Sequence, residues 1–390
     1  MPKPHFTIRN KFQKRSELYQ DILTNELLTD VCYRITGRRK YTVSFDNTSY
    51  NKGRLATLEY NERISYISFS ESEIRSRNSF FQSFPSALIK YYQEINPNKD
   101  IYFYFLEPDS NIETSYFIFM YRLMKTAGTI FLNESDYLQH QVDPFSSVSD
   151  IITQRDINRR RNSGNLSSYV TFDENNKLQI FGKTFGANKY ETTLLCLAIH
   201  KVAHLNIELY EIREGNLKQL PQDARDVIIS LGIEVVNSDF TLEREEFVTN
   251  NSLRSPTYLY NLLNKLGEKR CSLCDCEIPQ IIQGAHVWPV SNIKNLTNID
   301  LNAKIQFAID GENGLWLCCN HHKLFDINLL YIHSDGRLKY KSNVQETYAD
   351  YLQDYTTKTR VPEEILTLKF NDYLSKRNEN LDESLYSFLE

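Results

Sequence analysis

The chain has 390 residues, of which 41% are hydrophobic and 24% charged, and 45 basic against 50 acidic side chains give a formal net charge of -5. That length calls for two or three domains. The composition excludes global disorder, and the charge excludes a uniformly basic nucleic-acid binder. No stretch approaches the ~18 consecutive apolar residues of a membrane span, and Met1-Pro2-Lys3-Pro4-His5 leads into no apolar signal core. A cytoplasmic chain with no membrane partner is expected.

The first 145 residues read as strands and turns. Tyr41–Phe45 and Ile64–Phe69 alternate with period two, and Ile101–Leu106 and Tyr116–Tyr121 are continuous apolar and aromatic runs of the kind that form buried strands. Ala87–Tyr92 between them reads as helix. A polar, Ser-rich stretch follows from Ser146 to Ser168. Ser168–Asp173 and Lys177–Phe181 form a hairpin signal around Glu174-Asn175-Asn176. Tyr190–His204 is helical by length and periodicity, Ile207–Ile212 and Ile233–Val236 are strands, and a helix lies near Arg225–Ser230. Near Asn250-Asn251 a boundary is expected. There Ser255 reads as an N-cap, Pro256 as the first helical residue and Gly267 as a C-terminal stop. Beyond Tyr340 the chain reads as helical and acidic, with Pro362 opening a helix that carries Ile365, Leu366, Leu368 and Phe370.

Five of seven cysteines fall within one short region, beside histidines, which points to metal rather than to disulfides. Cys271-x-x-Cys274 and Cys318-x-x-His321 are separated by 43 residues. Two such knuckles present thiolate and imidazole ligands tetrahedrally and suit a structural Zn2+. Cys276 and Cys319 are rivals for single positions. Cys32 and Cys196 sit in apolar surroundings and read as inert core thiols. His200 and His204 lie four apart, but Lys201 stands where a zinc protease needs Glu, so both read as structural helix residues. Gly182-Lys183-Thr184 lacks the upstream glycine of a phosphate loop.

Around the knuckles run Ala285-His286-Val287-Trp288-Pro289, Asp310-Gly311-Glu312-Asn313-Gly314 and His322-Lys323-Leu324-Phe325-Asp326. Together with the Cys-x-x-His pair, these resemble the HNH endonuclease family in type and order, over roughly residues 270–335. The resemblance implies a ββα-metal finger in which His286 ends one strand, Asn313 lies on the loop and the last His opens the helix. It implies His286 as general base, with imidazole chemistry suited to neutral pH. Asn313 would hold the finger loop, and His322 completes the catalytic set. His322 and Asp326, four apart on one helical face, would hold a catalytic Mg2+ or Mn2+. The sequence departs from the family at Ala285, where many relatives carry a further metal ligand. Asp310 is an extra candidate ligand or a loop-orienting residue. Trp288 and Trp316 read as packing residues, and His333 as a surface residue without a partner.

The expected fold class is therefore α+β: a large mixed α/β N-terminal region, a zinc-stapled ββα-metal finger and a helical C-terminal tail. The expected divisions are 1–250 (with a break near 145), 251–341 and 342–390. In the first, Arg155, Arg159, Arg160, Arg161, Arg38, Arg39 and Lys183 are candidate DNA contacts, since arginine and lysine serve phosphates and guanine edges. A finger that grips the backbone leaves sequence reading to this large region. The combination resembles a type II restriction endonuclease acting on double-stranded DNA as a homodimer, leaving 5′-phosphate and 3′-hydroxyl ends, beside a cognate DNA methyltransferase. Alternatives are a modification-dependent restriction enzyme, a ligand-activated nonspecific defence nuclease, or a zinc-containing DNA-binding module with an inactive finger. The charge divides unevenly: 342–390 carries 5 basic and 10 acidic residues, 251–341 carries 10 and 8, and 1–250 carries 30 and 32. A net-negative chain is thus compatible with DNA binding through local patches.

Overall fold

The first 131 positions build a six-stranded sheet in the order β2-β1-β3-β4-β5-β6, from β1 (His5–Arg9), β2 (Thr42–Asp46), β3 (Arg54–Tyr60), β4 (Arg63–Ser70), β5 (Lys99–Phe105) and β6 (Thr129–Phe131). The computed structural model describes residues 2–9, 23–46, 54–70, 84–93, 99–106, 115–138, 142–161, 168–184, 188–203, 205–212, 220–238, 240–250, 253 and 255–389. β3 and β4 form an antiparallel hairpin through Asn61 and Glu62, both at positive φ (49° and 63°), the turn that matches strand twist. β1–β2, β4–β5 and β5–β6 are parallel. Helix α1 (Asn25–Thr36) is capped by Thr24, whose side chain accepts from the Leu27 amide, and is stopped by Gly37 at φ 70°. Its Leu28, Val31 and Cys32 pack on Phe6, Ile8, Leu58 and Phe69 of the sheet. Helices α2 (Phe84–Gln93), α3 (Ser115–Thr126), α4 (Glu134–Tyr137) and α5 (Val148–Arg161) follow the sheet strands in sequence.

One expectation changes here. Tyr116–Tyr121 is not a strand but the start of α3, in which Tyr116, Phe117, Phe119, Met120, Tyr121, Leu123 and Met124 are all buried. An apolar run buried on every side carries no period, so only its twelve-residue extent separates helix from strand. The Ser-rich stretch after Ser146 holds α5, whose first turn is capped by the Ser147 hydroxyl accepting from the Asp150 amide at 3.1 Å.

A second, four-stranded sheet runs β10-β9-β8-β7, from β7 (Ser168–Phe172), β8 (Leu178–Lys183), β9 (Ile207–Ile212) and β10 (Glu234–Ser238). Between these strands lie α6 (Asn188–Val202) and α7 (Gln222–Ser230), and α8 (Phe240–Thr249) follows. Residues Leu194–Ile199 of α6, Cys196 among them, are buried throughout. His200 is partly exposed near the end of α6, and His204 lies outside the described residues.

Helix α9 (Pro256–Leu266) has the predicted frame: the Ser255 hydroxyl accepts from the Tyr258 amide, Pro256 opens it and Gly267 closes it at φ 77°. There follow β11 (Ile282–His286), α10 (Val290–Lys294), α11 (Leu301–Ile309), β12 (Gly314–Cys318) and α12 (Cys319–Asp326). β11 and β12 pair antiparallel, with His286 opposite Gly314 and Ile282 opposite Cys318.

The C-terminal segment is more than the helical tail expected. β13 (Leu330–Ile332) and β14 (Leu338–Lys341) are joined by β15 (Tyr386–Phe388) into a three-stranded sheet. The Pro362 helix is a short 3-10 turn, Glu363–Ile365. The longer helices are α13 (Glu346–Tyr355) and α14 (Leu368–Asn378), the latter capped by Thr367.

By internal contacts the chain divides into two units. One comprises Met1–Ser168, Gly182–Leu205 and Gly215–Val235; the other comprises Tyr169–Phe181, Asn206–Glu214 and Val236–Glu390. This differs from a linear division at residue 250, because the β7–β8 hairpin and β9 belong with the finger. Tyr169 donates to Asn264 Oδ1 at 2.9 Å and Lys269 Nζ donates to the Phe172 carbonyl at 2.8 Å. Among the described residues no helix is long and apolar enough to cross a membrane.

Candidate active site and metal centre

The two knuckles converge. Cys271, Cys274, Cys318 and His321, all buried, place their ligand atoms within 4.8 Å of one another. Cys318 Sγ lies 3.2 Å from His321 Nδ1 and 4.0 Å from Cys274 Sγ, and Cys271 Sγ lies 3.5 Å from His321 Nδ1. Zinc–sulfur bonds of ~2.3 Å and zinc–nitrogen bonds of ~2.0 Å require tetrahedral edges of about 3.8 Å and 3.5 Å. The donor set and its spacing fit zinc. Hydrogen bonds from Cys271, and secondarily from His321 and Tyr355, draw the Cys318 thiol well below the ordinary thiol range against the opposing effect of burial. Contact with Cys318 and burial push Cys271 up, and burial raises Cys274. Cys319 points away, its Sγ donating to the Ile281 carbonyl at 3.2 Å.

The support around these ligands comes from the C-terminal segment. His321 Nε2 meets the Thr356 hydroxyl at 3.1 Å, and the Tyr355 ring stacks on His321 at 4.7 Å. The Tyr355 hydroxyl reaches Cys318 Sγ at 3.5 Å. Such partners fix ring orientation and ligand basicity.

His286 ends β11, Asn313 sits in a 3-10 turn just before β12, and His322 lies in the first turn of α12. His286 Nε2 is 2.8 Å from the Ala308 carbonyl. A carbonyl only accepts, so Nε2 carries the proton and Nδ1 is the ring's basic nitrogen. The ring lies flat on Tyr258, with centroids 4.1 Å apart and planes at 10°. Asn313 is fully buried. Its Oδ1 accepts from the Trp288 amide at 2.7 Å, and its Nδ2 donates to the carbonyls of Trp288 and Phe307 at 3.1 and 3.2 Å. The loop that follows the histidine is thereby pinned.

His322 Nδ1 meets Gln283 Oε1 at 3.0 Å, which leaves Nε2 as the lone-pair nitrogen, 3.5 Å from Asp326 Oδ2. One imidazole nitrogen and one carboxylate oxygen at this separation fit two cis ligands of a divalent cation that keeps several waters. His286, His322 and Asp326 line one cleft of about 480 Å3 with Asn292, Asn328 and Arg377.

Asp310 acts on the loop. It accepts from the Glu312 amide at 3.0 Å and the Tyr373 hydroxyl at 2.8 Å, and pairs with Lys369 at 2.5 Å. Glu312 in turn pairs with Lys265 and accepts from the Thr367 hydroxyl at 2.6 Å. Gly314 is not a turn glycine. Its φ of -153° is extended, and a Cβ there would lie 2.4 Å from Leu262 Cδ2 and 2.6 Å from the Tyr258 hydroxyl. Trp288 and Trp316 are buried. His333, expected to stand alone, faces two carboxylates: Asp335 at 2.8 Å and Glu383 at 3.6 Å.

The candidate DNA contacts separate. Arg155 is a correction: it is 4% exposed, with Nη2 3.8 Å from Glu191 and 3.3 Å from the Ser168 hydroxyl, so it serves a buried ion pair. Arg159, Arg160 and Arg161 end α5, but their side chains lie outside the described residues. Arg38 and Arg39 lie at the C-terminal end of α1, their guanidinium carbons 4.9 Å and 4.6 Å from the rings of Tyr60 and Tyr33. Lys183 ends β8 and is half-buried.

The sequence reading missed Tyr258, Gln283 and Arg377. Tyr258 and Gln283 carry no mark of their own. Arg377 does: it continues the buried face Phe370, Tyr373, Leu374 of α14, where an apolar residue belongs.

Residues 271–333 match the family model described as HNH endonuclease. This segment is an HNH endonuclease domain. Among curated proteins, none matches the chain. An HNH domain carries metal-dependent nuclease chemistry and implies binding to DNA.

Proposed function

We propose that the protein is a site-specific DNA endonuclease of the restriction type, hydrolysing phosphodiester bonds to 5′-phosphate and 3′-hydroxyl ends. The observation that supports it best is the shared cleft of His286, His322 and Asp326, with the tautomer of His286 set by the Ala308 carbonyl. In this reading His286 Nδ1 takes the proton of the attacking water while Nε2–H stays bonded to the carbonyl. Tyr258 holds the ring plane and Asn313 holds the chain that follows it. His322 and Asp326 would hold Mg2+ or Mn2+, which supplies charge neutralisation for the phosphate and the leaving 3′ oxygen. The Cys271, Cys274, Cys318 and His321 cluster would hold Zn2+ and keep β11, β12 and α12 in register.

Residues 1–250, with Arg38, Arg39, Lys183 and the Arg159–Arg161 run, serve in this reading as the specificity module. Two copies of the chain would cut the two strands of a palindrome, and a cognate methyltransferase would protect host DNA. The test is magnesium-dependent plasmid cleavage by the wild type and by His286→Ala. The wild type should give discrete fragments, and the variant should lose at least ~10²-fold in rate while still binding DNA. A smear from the wild type favours the ligand-activated nonspecific nuclease, and cutting only of methylated plasmid favours the modification-dependent enzyme. Tight binding without cutting favours the inactive finger, and full activity in His286→Ala removes this histidine as the base.

A further inference from the structure

The geometry points to Arg377 as a positioning residue of the nuclease site, supplied by the C-terminal helix, whose guanidinium sets the distance between the His286 strand and the His322–Asp326 helix. The inference rests on the nuclease reading above. Arg377 Nη1 donates to the Val287 carbonyl at 3.2 Å; Nη2 donates to the Phe325 carbonyl and, at 2.9 Å, to Asn328 Oδ1. Val287 directly follows His286, and Phe325 directly precedes Asp326. One planar fork therefore bridges the end of β11 to the end of α12, with its carbon 3.7 Å from the Phe325 ring. The side chain is 6% exposed, and what it exposes borders the cleft it shares with His286, His322 and Asp326.

Packing alone does not account for this choice. The same face of α14 buries Phe370, Tyr373 and Leu374, and a leucine or methionine at 377 would continue it without desolvating a charge. Burial draws the guanidinium down to about 10, which still leaves it cationic at neutral pH. A cation held at the wall of the cleft also favours an anionic phosphodiester. Lysine, a point donor on a shorter reach, cannot satisfy the three acceptors together.

The experiment uses the full chain as wild type, Arg377→Lys and Arg377→Gln, with four readouts: zinc content with thermal melting, Mn2+ binding by electron paramagnetic resonance, DNA affinity in Ca2+, and single-turnover cleavage at saturating Mn2+. Both variants are expected to keep one zinc and to melt cooperatively. Mn2+ affinity should fall about 10-fold and the cleavage rate about 100-fold, with DNA affinity changed less than about 3-fold. Should Arg377→Gln fail to fold, Asn328→Gly removes one acceptor while suiting that residue's φ of 56°, and should shift both Mn2+ affinity and rate the same way. Wild-type Mn2+ affinity and rate in Arg377→Lys would overturn the inference. So would defects that vanish on cooling in step with the melting temperature. If the wild type never cuts DNA, the nuclease reading fails; a weakened Mn2+ site in the variants then still supports the bridge, and an unchanged one refutes it.

Discussion

The finger and the N-terminal sheet hold their active or candidate residues in different ways. Around the finger, four candidate metal ligands from two short knuckles lie beside a hydrogen-bonded frame of Asp310, Asn313 and Arg377. In the N-terminal unit, Phe6, Ile8, Leu28, Val31 and Phe69 share a core, and a buried charged pair, Arg155 with Glu191, lies beside Ser168 and Tyr116. The finger should therefore fail when a ligand or a metal is taken away. The N-terminal unit should fail when a charge is left alone in its interior.

The largest effect expected is from zinc. Chelation, or Cys271→Ser, should release one metal per chain and unfold the finger, since structural zinc contributes roughly 10 kcal/mol or more to folding. Metal content and a far-UV melt check this; a variant that keeps both its zinc and its melting temperature would remove the staple from the comparison. Next comes Arg155→Met, which removes the guanidinium beside the buried Glu191 and should cost about 3–5 kcal/mol. Calorimetry should place that loss in the N-terminal unit, and adding Glu191→Gln should recover most of it. Gly311→Ala should cost about 1–3 kcal/mol, because its Cβ would sit 2.5 Å from the Asn261 carbonyl oxygen, a backbone atom of α9. A chemical denaturation midpoint at the wild-type value would show that α9 yields freely.

The smallest effect concerns Lys269, whose ammonium burial pulls down to about 8. Between pH 8 and the ordinary value of 10.5 the unfolded chain binds the proton that the folded chain has lost, so this group's contribution to stability rises with pH across that window. Below pH 8 the buried ammonium is a penalty on folding. Lys269→Met should then be neutral or stabilising at pH 7 and should flatten the rise, which urea melts across the window would detect.

Legibility followed the same divide. The zinc pairs, the Ser255-Pro256 start and Gly267 stop of α9, and the histidines and asparagine of the finger are local signals: fixed spacings and cap chemistry that need no partner from elsewhere. The β7–β8 hairpin was legible for the same reason. Tyr116–Tyr121 was misread because burial on all sides erases the period that tells helix from strand. Arg155 was misread as a surface cation because its carboxylate partner lies 36 positions away in the chain. Lys369, Tyr373 and Arg377 were taken as part of an acidic tail, since nothing in that stretch announces which loop its helix will grip. Tyr373 donating to Asp310 and Arg377 bridging Val287 to Phe325 are decided by tertiary contact alone.

The chain passes between its two units five times, at residues 168, 181, 205, 214 and 235. A domain hung on a single tether can be clipped off whole by one protease cut and expressed by itself; here the division runs through five crossings instead of one. A fragment starting at residue 251 would begin without β7, β8 and β9, and a fragment ending at residue 341 would lack Thr356, Tyr373, Arg377 and β15. Engineering a chimera here means exchanging the interleaved segments together, as one would re-lace two garments sewn with a common thread.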